Sequence, residues 1–132
     1  MDQRAHILLV DRKEIEGDEL RYLLESEGYE VEQALCGTEA LNKIKQEQFD
    51  LVLAEIPVPD MEGLELIRHV REVDQDVIEI VMGGHLSLET AIKAWRWDVA
   101  GYVAQPLDDP DGVLVAVASG LADRRNRDQS EK

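Results

Sequence analysis

Three charged residues stand directly behind short apolar runs: Asp11 and Arg12 follow Ile7-Leu8-Leu9-Val10, and Glu55 follows Leu51-Val52-Leu53-Ala54. Together they sum to one negative charge. Carboxylate oxygens attract a hard divalent cation, which a neighbouring guanidinium repels. Alternatively, Arg12 forks onto Glu55 or Asp11 through bidentate hydrogen bonds and stands in for the cation. A blander arrangement leaves Arg12 in solvent and Glu55 hydrated. Gly83 closes a fourth apolar run, Val77 to Met82, and Gln105-Pro106 closes a fifth, Gly101 to Ala104.

The elements between these runs bring their ends together. Continuous apolar runs of this length read as strands buried on both faces. Ile15, Leu20, Leu23 and Leu24 recur at helical spacing and stop at Gly28, placed as a left-handed C-terminal residue. Tyr29 to Leu35 alternates as an edge strand does, and Thr38 stands at the N-cap of a helix carrying Ala40, Leu41 and Ile44. Pro57, Pro59 and Gly63 mark a loop before a third helix with Leu64, Leu66, Ile67 and Val70. Ser87 caps a fourth, with Leu88, Ala91, Ile92 and Trp95 inward. A fifth begins after Pro110, with Val113, Leu114, Val117, Ala118 and Leu121 on one stripe. Five βα units predict an α/β fold with a parallel sheet and helices on both faces. The binding crevice of such a sheet lies at the carboxyl ends of its strands, so Asp11, Arg12, Glu55, Gly83 and Gln105 are expected in one pocket.

At 132 residues and 44% apolar composition the chain fits one compact domain. No apolar run approaches the roughly 20 residues of a membrane span, so a soluble, cytoplasmic protein with no membrane association is expected. A single cysteine, Cys36, excludes an internal disulfide and a multi-thiolate zinc site, and reads as a small residue at a strand end. A formal charge of −15 argues against direct nucleic-acid binding and points to protein partners with basic patches. His6, His69 and His85 are far apart without ligand spacing, so no metal site is expected from them.

Four segments carry a family resemblance: Ile7 to Asp11; Phe49 to Glu55 followed by Pro59-Asp60-Met61-Glu62-Gly63; His85 to Ala91; and Tyr102 to Leu107. In order and spacing they resemble the response-regulator receiver domains of two-component signalling (phosphorelay) systems. The resemblance implies a flavodoxin-like, doubly wound (βα)5 fold with strand order 2-1-3-4-5. It places the domain at residues 1–122 and leaves 123–132 as a charged tail, a helix end or the start of a linker. It also implies phosphoryl transfer from a partner's phosphohistidine to a carboxylate at the end of strand three, assisted by magnesium, a lysine and a hydroxyl.

The sequence departs from that pattern at nearly every group. The acceptor position is Glu55, whose extra methylene moves the carboxylate by about 1.5 Å, and a misplacement of about 1 Å can cost on the order of a hundredfold in rate. Two adjacent acids have become Asp11 and Arg12, the hydroxyl position is Gly83, and the lysine position is Gln105. The expectation is a non-enzymatic pseudo-receiver without cofactor, with magnesium binding lost or weak. The alternatives are a phosphorylatable receiver using Glu55 or Asp60, and a sensor taking a small ligand into the emptied pocket.

The resemblance further implies an interaction face formed by the fourth helix, fifth strand and fifth helix. That face would serve a homodimer, a histidine kinase, an output domain or another signalling protein. Tyr102 falls at an aromatic switch position whose hydroxyl partner Gly83 cannot supply. Trp95 and Trp97 cannot share a helical face; the inner stripe claims Trp95 and leaves Trp97 exposed as an interface residue. Asp98 stands where the family often has glycine, and Pro106 matches an X-Pro joint for which a cis bond is expected.

Overall fold

Leu51–Glu55 is buried at every position, as a central strand covered on both faces must be. Its neighbours follow from the same logic of short apolar runs. The computed structural model describes residues 4–11, 14–55, 60–61, 63–83, 101–104 and 111–130. Within them lie β1 (His6–Val10), α1 (Glu14–Ser26), β2 (Glu30–Ala34), α2 (Gly37–Gln46), β3 (Leu51–Glu55), α3 (Gly63–Val73), β4 (Ile78–Gly83), β5 (Gly101–Ala104) and α4 (Asp111–Ser130). The strands form a five-stranded sheet in the order β2-β1-β3-β4-β5, and each neighbouring pair runs parallel. The helix expected from Ser87 to Trp95 lies outside the described residues.

Alternation along the strands builds two cores. Ile7, Leu9, Leu51, Leu53, Ile80 and Met82 pack with Leu20 and Leu24 of α1 and with Val113 and Val117 of α4. Leu8, Val10, Val52 and Ala54 face the other way, onto Ala40 and Ile44 of α2 and Leu66 and Val70 of α3.

Helix α1 ends as its glycine predicts. Gly28 has φ +94°, its N–H bonds to the Glu25 carbonyl at 3.0 Å, and the Tyr29 N–H reaches back to Leu24 at 3.4 Å. This pair of bonds is the Schellman closure, and Tyr29 packs against the cluster holding Leu24.

Three expectations need correction. The N-cap of α2 is Cys36, not Thr38, and Cys36 makes no side-chain cap bond. Thr38 is already helical, because an acceptor from elsewhere in the chain takes the capping role, as described below. Cys36 accordingly opens a helix two residues beyond the end of β2. On α4, Ala118 is exposed and Gly120 is buried. A Cβ at 120 would lie 3.0 Å from Ile78 Cγ2, so packing selects the residue without a side chain, where the helix comes closest to the sheet. The charged stretch after 122 continues α4 to Ser130. Among the described residues no helix is long and apolar enough to cross a membrane.

Candidate functional site

Strand register aligns the expected pocket groups along one edge of the sheet. Val10 pairs with Ala54, Glu55 with Met82, and Gly83 with Ala104. Asp11 extends β1 by one further bond, donating its N–H to the Ala34 carbonyl at 3.0 Å. Asp11 and Glu55 therefore end neighbouring strands, whose backbones lie about 4.8 Å apart. They are 1% and 6% exposed. Both carboxyl groups are thus withdrawn from water at the ends of adjacent strands. As donors they fit magnesium, which takes one or two carboxylates and completes its shell with water. Asp11 and Glu55 would hold that ion, which would supply charge neutralisation to phosphoryl oxygens.

Of the other expected site residues, Gly83 lies at the end of β4 beside Ala104. The backbone of Tyr102 pairs with Val81. Arg12, Trp97, Asp98, Gln105 and Pro106 lie outside the described residues, as does the X-Pro bond at 106.

Asp60 is placed differently from a phospho-acceptor. Its carboxylate accepts from the Gly37 N–H at 2.7 Å, the Thr38 N–H at 2.9 Å and the Thr38 hydroxyl at 2.6 Å. It thus satisfies the N-terminal donors of α2 from 22 and 23 residues further along the chain. The Thr38 hydroxyl bond first, and the backbone bonds after it, pull the Asp60 carboxyl down to about 2. Met61 seals the same contact, since a Cβ on Gly37 would come within 2.7 Å of its Sδ. Asp60 and Met61 are thereby pinned to α2.

A third buried acid lies within the sheet itself. Glu79 of β4 is 3% exposed, and its Oε2 lies 3.3 Å from Arg71 Nε of α3. Neither of its oxygens finds a hydrogen-bond partner of good geometry. Burial pushes its carboxyl up to about 8 against the pull of Arg71. Sequence reading absorbed Glu79 into a strand; the single charge inside an apolar run was the available signal.

With this geometry in view, the family is clear: the profile of the response regulator receiver domain matches residues 7–117. The chain belongs to that family. Transcriptional regulatory protein ZraR of Klebsiella oxytoca is 30% identical over 123 residues, covering 93% of this chain and 28% of that protein. Transcriptional regulatory protein GlrR of Escherichia coli is 32% identical over 117 residues, covering 89% and 26%. The chain therefore spans little more than a quarter of these relatives' length. A CheY-like receiver domain protein from Methanospirillum hungatei superposes with TM-score 0.90 at 32% identity, over 95% of this chain and 99% of that one. A response regulator from Burkholderia pseudomallei, solved with a phosphorylated aspartic acid, a calcium ion and citrate, gives TM-score 0.79 at 26% identity, over 97% and 75%. The expected two-component family and flavodoxin-like architecture are thereby established.

Proposed function

We propose that this chain is a receiver domain that takes no phosphoryl group and signals through protein contacts. The chief support is the fixed position of Glu55. It ends a strand buried at all five residues, and a one-residue slip would turn every apolar side chain of β3 to the wrong face. The backbone cannot retreat to absorb the extra methylene, so the carboxylate stands about one carbon–carbon bond, roughly 1.5 Å, beyond an aspartate's reach. Asp60 is a poor alternative acceptor, because phosphorylation there would remove the cap of α2. Arg12, Gly83 and Gln105 stand where the family pattern has an acid, a hydroxyl and a lysine. Arg12 in particular opposes the cation that Asp11 and Glu55 would otherwise attract.

On this reading the chain is not an enzyme and magnesium binds weakly or not at all. Its partners are a histidine kinase, an output domain of the kind transcriptional regulators carry, or another signalling protein. A second copy would dock through β5, α4 and the helix expected around Ser87 to Trp95, with Trp97 exposed on it.

Intact-protein mass spectrometry after incubation with a small phosphodonor and magnesium tests the reading. The expected spectrum shows no added phosphate, and a stoichiometric acyl-phosphate adduct would refute it. The double variant Arg12→Asp, Glu55→Asp is expected to show magnesium quenching of tryptophan fluorescence, and the parent is expected to show none.

A further inference from the structure

The opposite end of β1 carries a second constellation. His6 opens β1, Glu32 lies in β2, and Glu47 follows α2 as its C-cap. From His6 to Asp11 the strand rises roughly 16 Å at about 3.3 Å per residue, so this cluster is separate from the Asp11–Glu55 pocket. One ligand atom from each of His6, Glu32 and Glu47 lies within 4.8 Å of the others.

The tautomer of His6 decides what the cluster can hold. Its Nδ1 lies 3.0 Å from the Gln48 carbonyl, and a carbonyl oxygen only accepts, so Nδ1 carries the proton. In the neutral ring Nε2 then presents a lone pair. That lone pair faces Glu32 Oε2 at 3.1 Å, yet Oε2 is buried and accepts no hydrogen bond. With the ring neutral, two electron-pair donors face each other there at 3.1 Å.

A metal ion resolves that arrangement. With zinc–ligand bonds of about 2.0–2.2 Å, adjacent ligands of a tetrahedral site are about 3.3 Å apart, close to the Nε2 to Oε2 spacing. Imidazole with its far nitrogen donating to a backbone carbonyl is the usual orientation of a metal-ligating histidine. The ring is held further by Phe49, whose centroid lies 4.3 Å away, and by the Asp50 side chain, which accepts the His6 backbone N–H at 2.8 Å. Lys43 approaches the other Glu32 oxygen, Oε1, at 3.8 Å, leaving Oε2 to the cluster. The cluster borders a cleft of about 420 Å³ that Arg4, Tyr29 and Glu30 also line, and the cleft gives an ion a way in.

We propose that His6, Glu32 and Glu47 bind one divalent first-row transition-metal ion, tying β1, β2 and the end of α2 together. One imidazole nitrogen and two carboxylates favour zinc over magnesium or calcium, which prefer an all-oxygen shell. Three protein ligands leave a position for water. The site is independent of phosphoryl chemistry.

Calorimetric titration of the full chain with zinc chloride, in excess magnesium, tests the proposal. One saturable zinc per chain is expected, accompanied by a shift of the His6 Nε2 resonance in nitrogen NMR. His6→Gln and Glu47→Gln should each weaken binding at least tenfold, since even outer-shell partners of a metal cost about 10–100-fold. Glu47 is exposed, so its variant keeps the test open if His6→Gln fails to fold. Glu19→Gln, an exposed acid on α1, should leave binding unchanged. Absence of saturable zinc binding, or equal binding by the Glu47→Gln and Glu19→Gln proteins, would overturn the site in favour of a protonated His6 ion-paired with Glu32.

Discussion

Replacing Asp60 with alanine should destabilise the domain from outside α2, the helix it caps. The change removes the acceptor of the Gly37 N–H, the Thr38 N–H and the Thr38 hydroxyl. Loss of an N-capping side chain costs about 1 kcal/mol, and removing a negative charge from a helix N-terminus adds about 0.3–1 kcal/mol. Asp60 is exposed, so the charge contribution belongs at the lower end, and the total is about 1.5 kcal/mol. For a domain of this size that lowers Tm by roughly 5 °C. Urea denaturation followed by circular dichroism at pH 7 measures the difference. Asp60→Asn keeps an oxygen acceptor but no charge and should lose about half as much. The pH dependence follows from the depressed carboxyl. Folding lowers its pKa from 3.8 to about 2, so the stabilisation is complete above pH 4 and disappears as pH falls through about 2. The gap between parent and Asp60→Ala should close across that window. A loss below about 0.3 kcal/mol at pH 7, well under the normal range for a cap, would refute the capping role.

Glu79 behaves in the opposite sense. Burial raises its carboxyl from 4.5 to about 8, so the folded protein keeps a proton that the unfolded chain loses, and stability should decline from pH 5 to pH 8. At about 1.4 kcal/mol per pH unit the decline amounts to a few kcal/mol at most, and Glu79→Gln should flatten it; parallel pH profiles in urea would show that Glu79 is not protonated. Gly28→Ala meets open space but forces a side chain to φ +94°, which should cost about 1–2 kcal/mol. Gly28→Asn should cost less, and thermal melts of the two variants give the ranking.

The strands were legible because a parallel sheet covered on both faces demands short, continuous apolar runs, and Leu51 to Ala54 can serve no other purpose. Gly28 was legible because a left-handed helix end has a one-residue signature. The cap of α2 was not. Thr38 carries the local composition of an N-cap, whereas the acceptor sits 22 residues later and only the fold brings it there. Ala118 is exposed although its apolarity places it on the inner stripe, because the close approach of α4 to Ile78 at Gly120 rewards the absence of a side chain. Of the pocket, Asp11 and Glu55 were found from their positions behind β1 and β3. The proximity of His6 and Glu32 is not legible in sequence spacing, because it is parallel pairing of β1 with β2 that sets His6 opposite Glu30 and brings Glu32 to 3.1 Å from the ring.

Among the described residues the two cores share no side chain. Their common wall is the sheet, and β3 contributes Leu51 and Leu53 to one and Val52 and Ala54 to the other. The strand that ends in Glu55 is therefore gripped from both sides by hydrocarbon at near-crystalline density. Any force applied at its carboxyl end, whether by a charge, an ion or a docking partner, meets a stiff beam. A displacement there is felt on both faces at once, by α1 and α4 through Leu51 and Leu53 and by α2 and α3 through Val52 and Ala54.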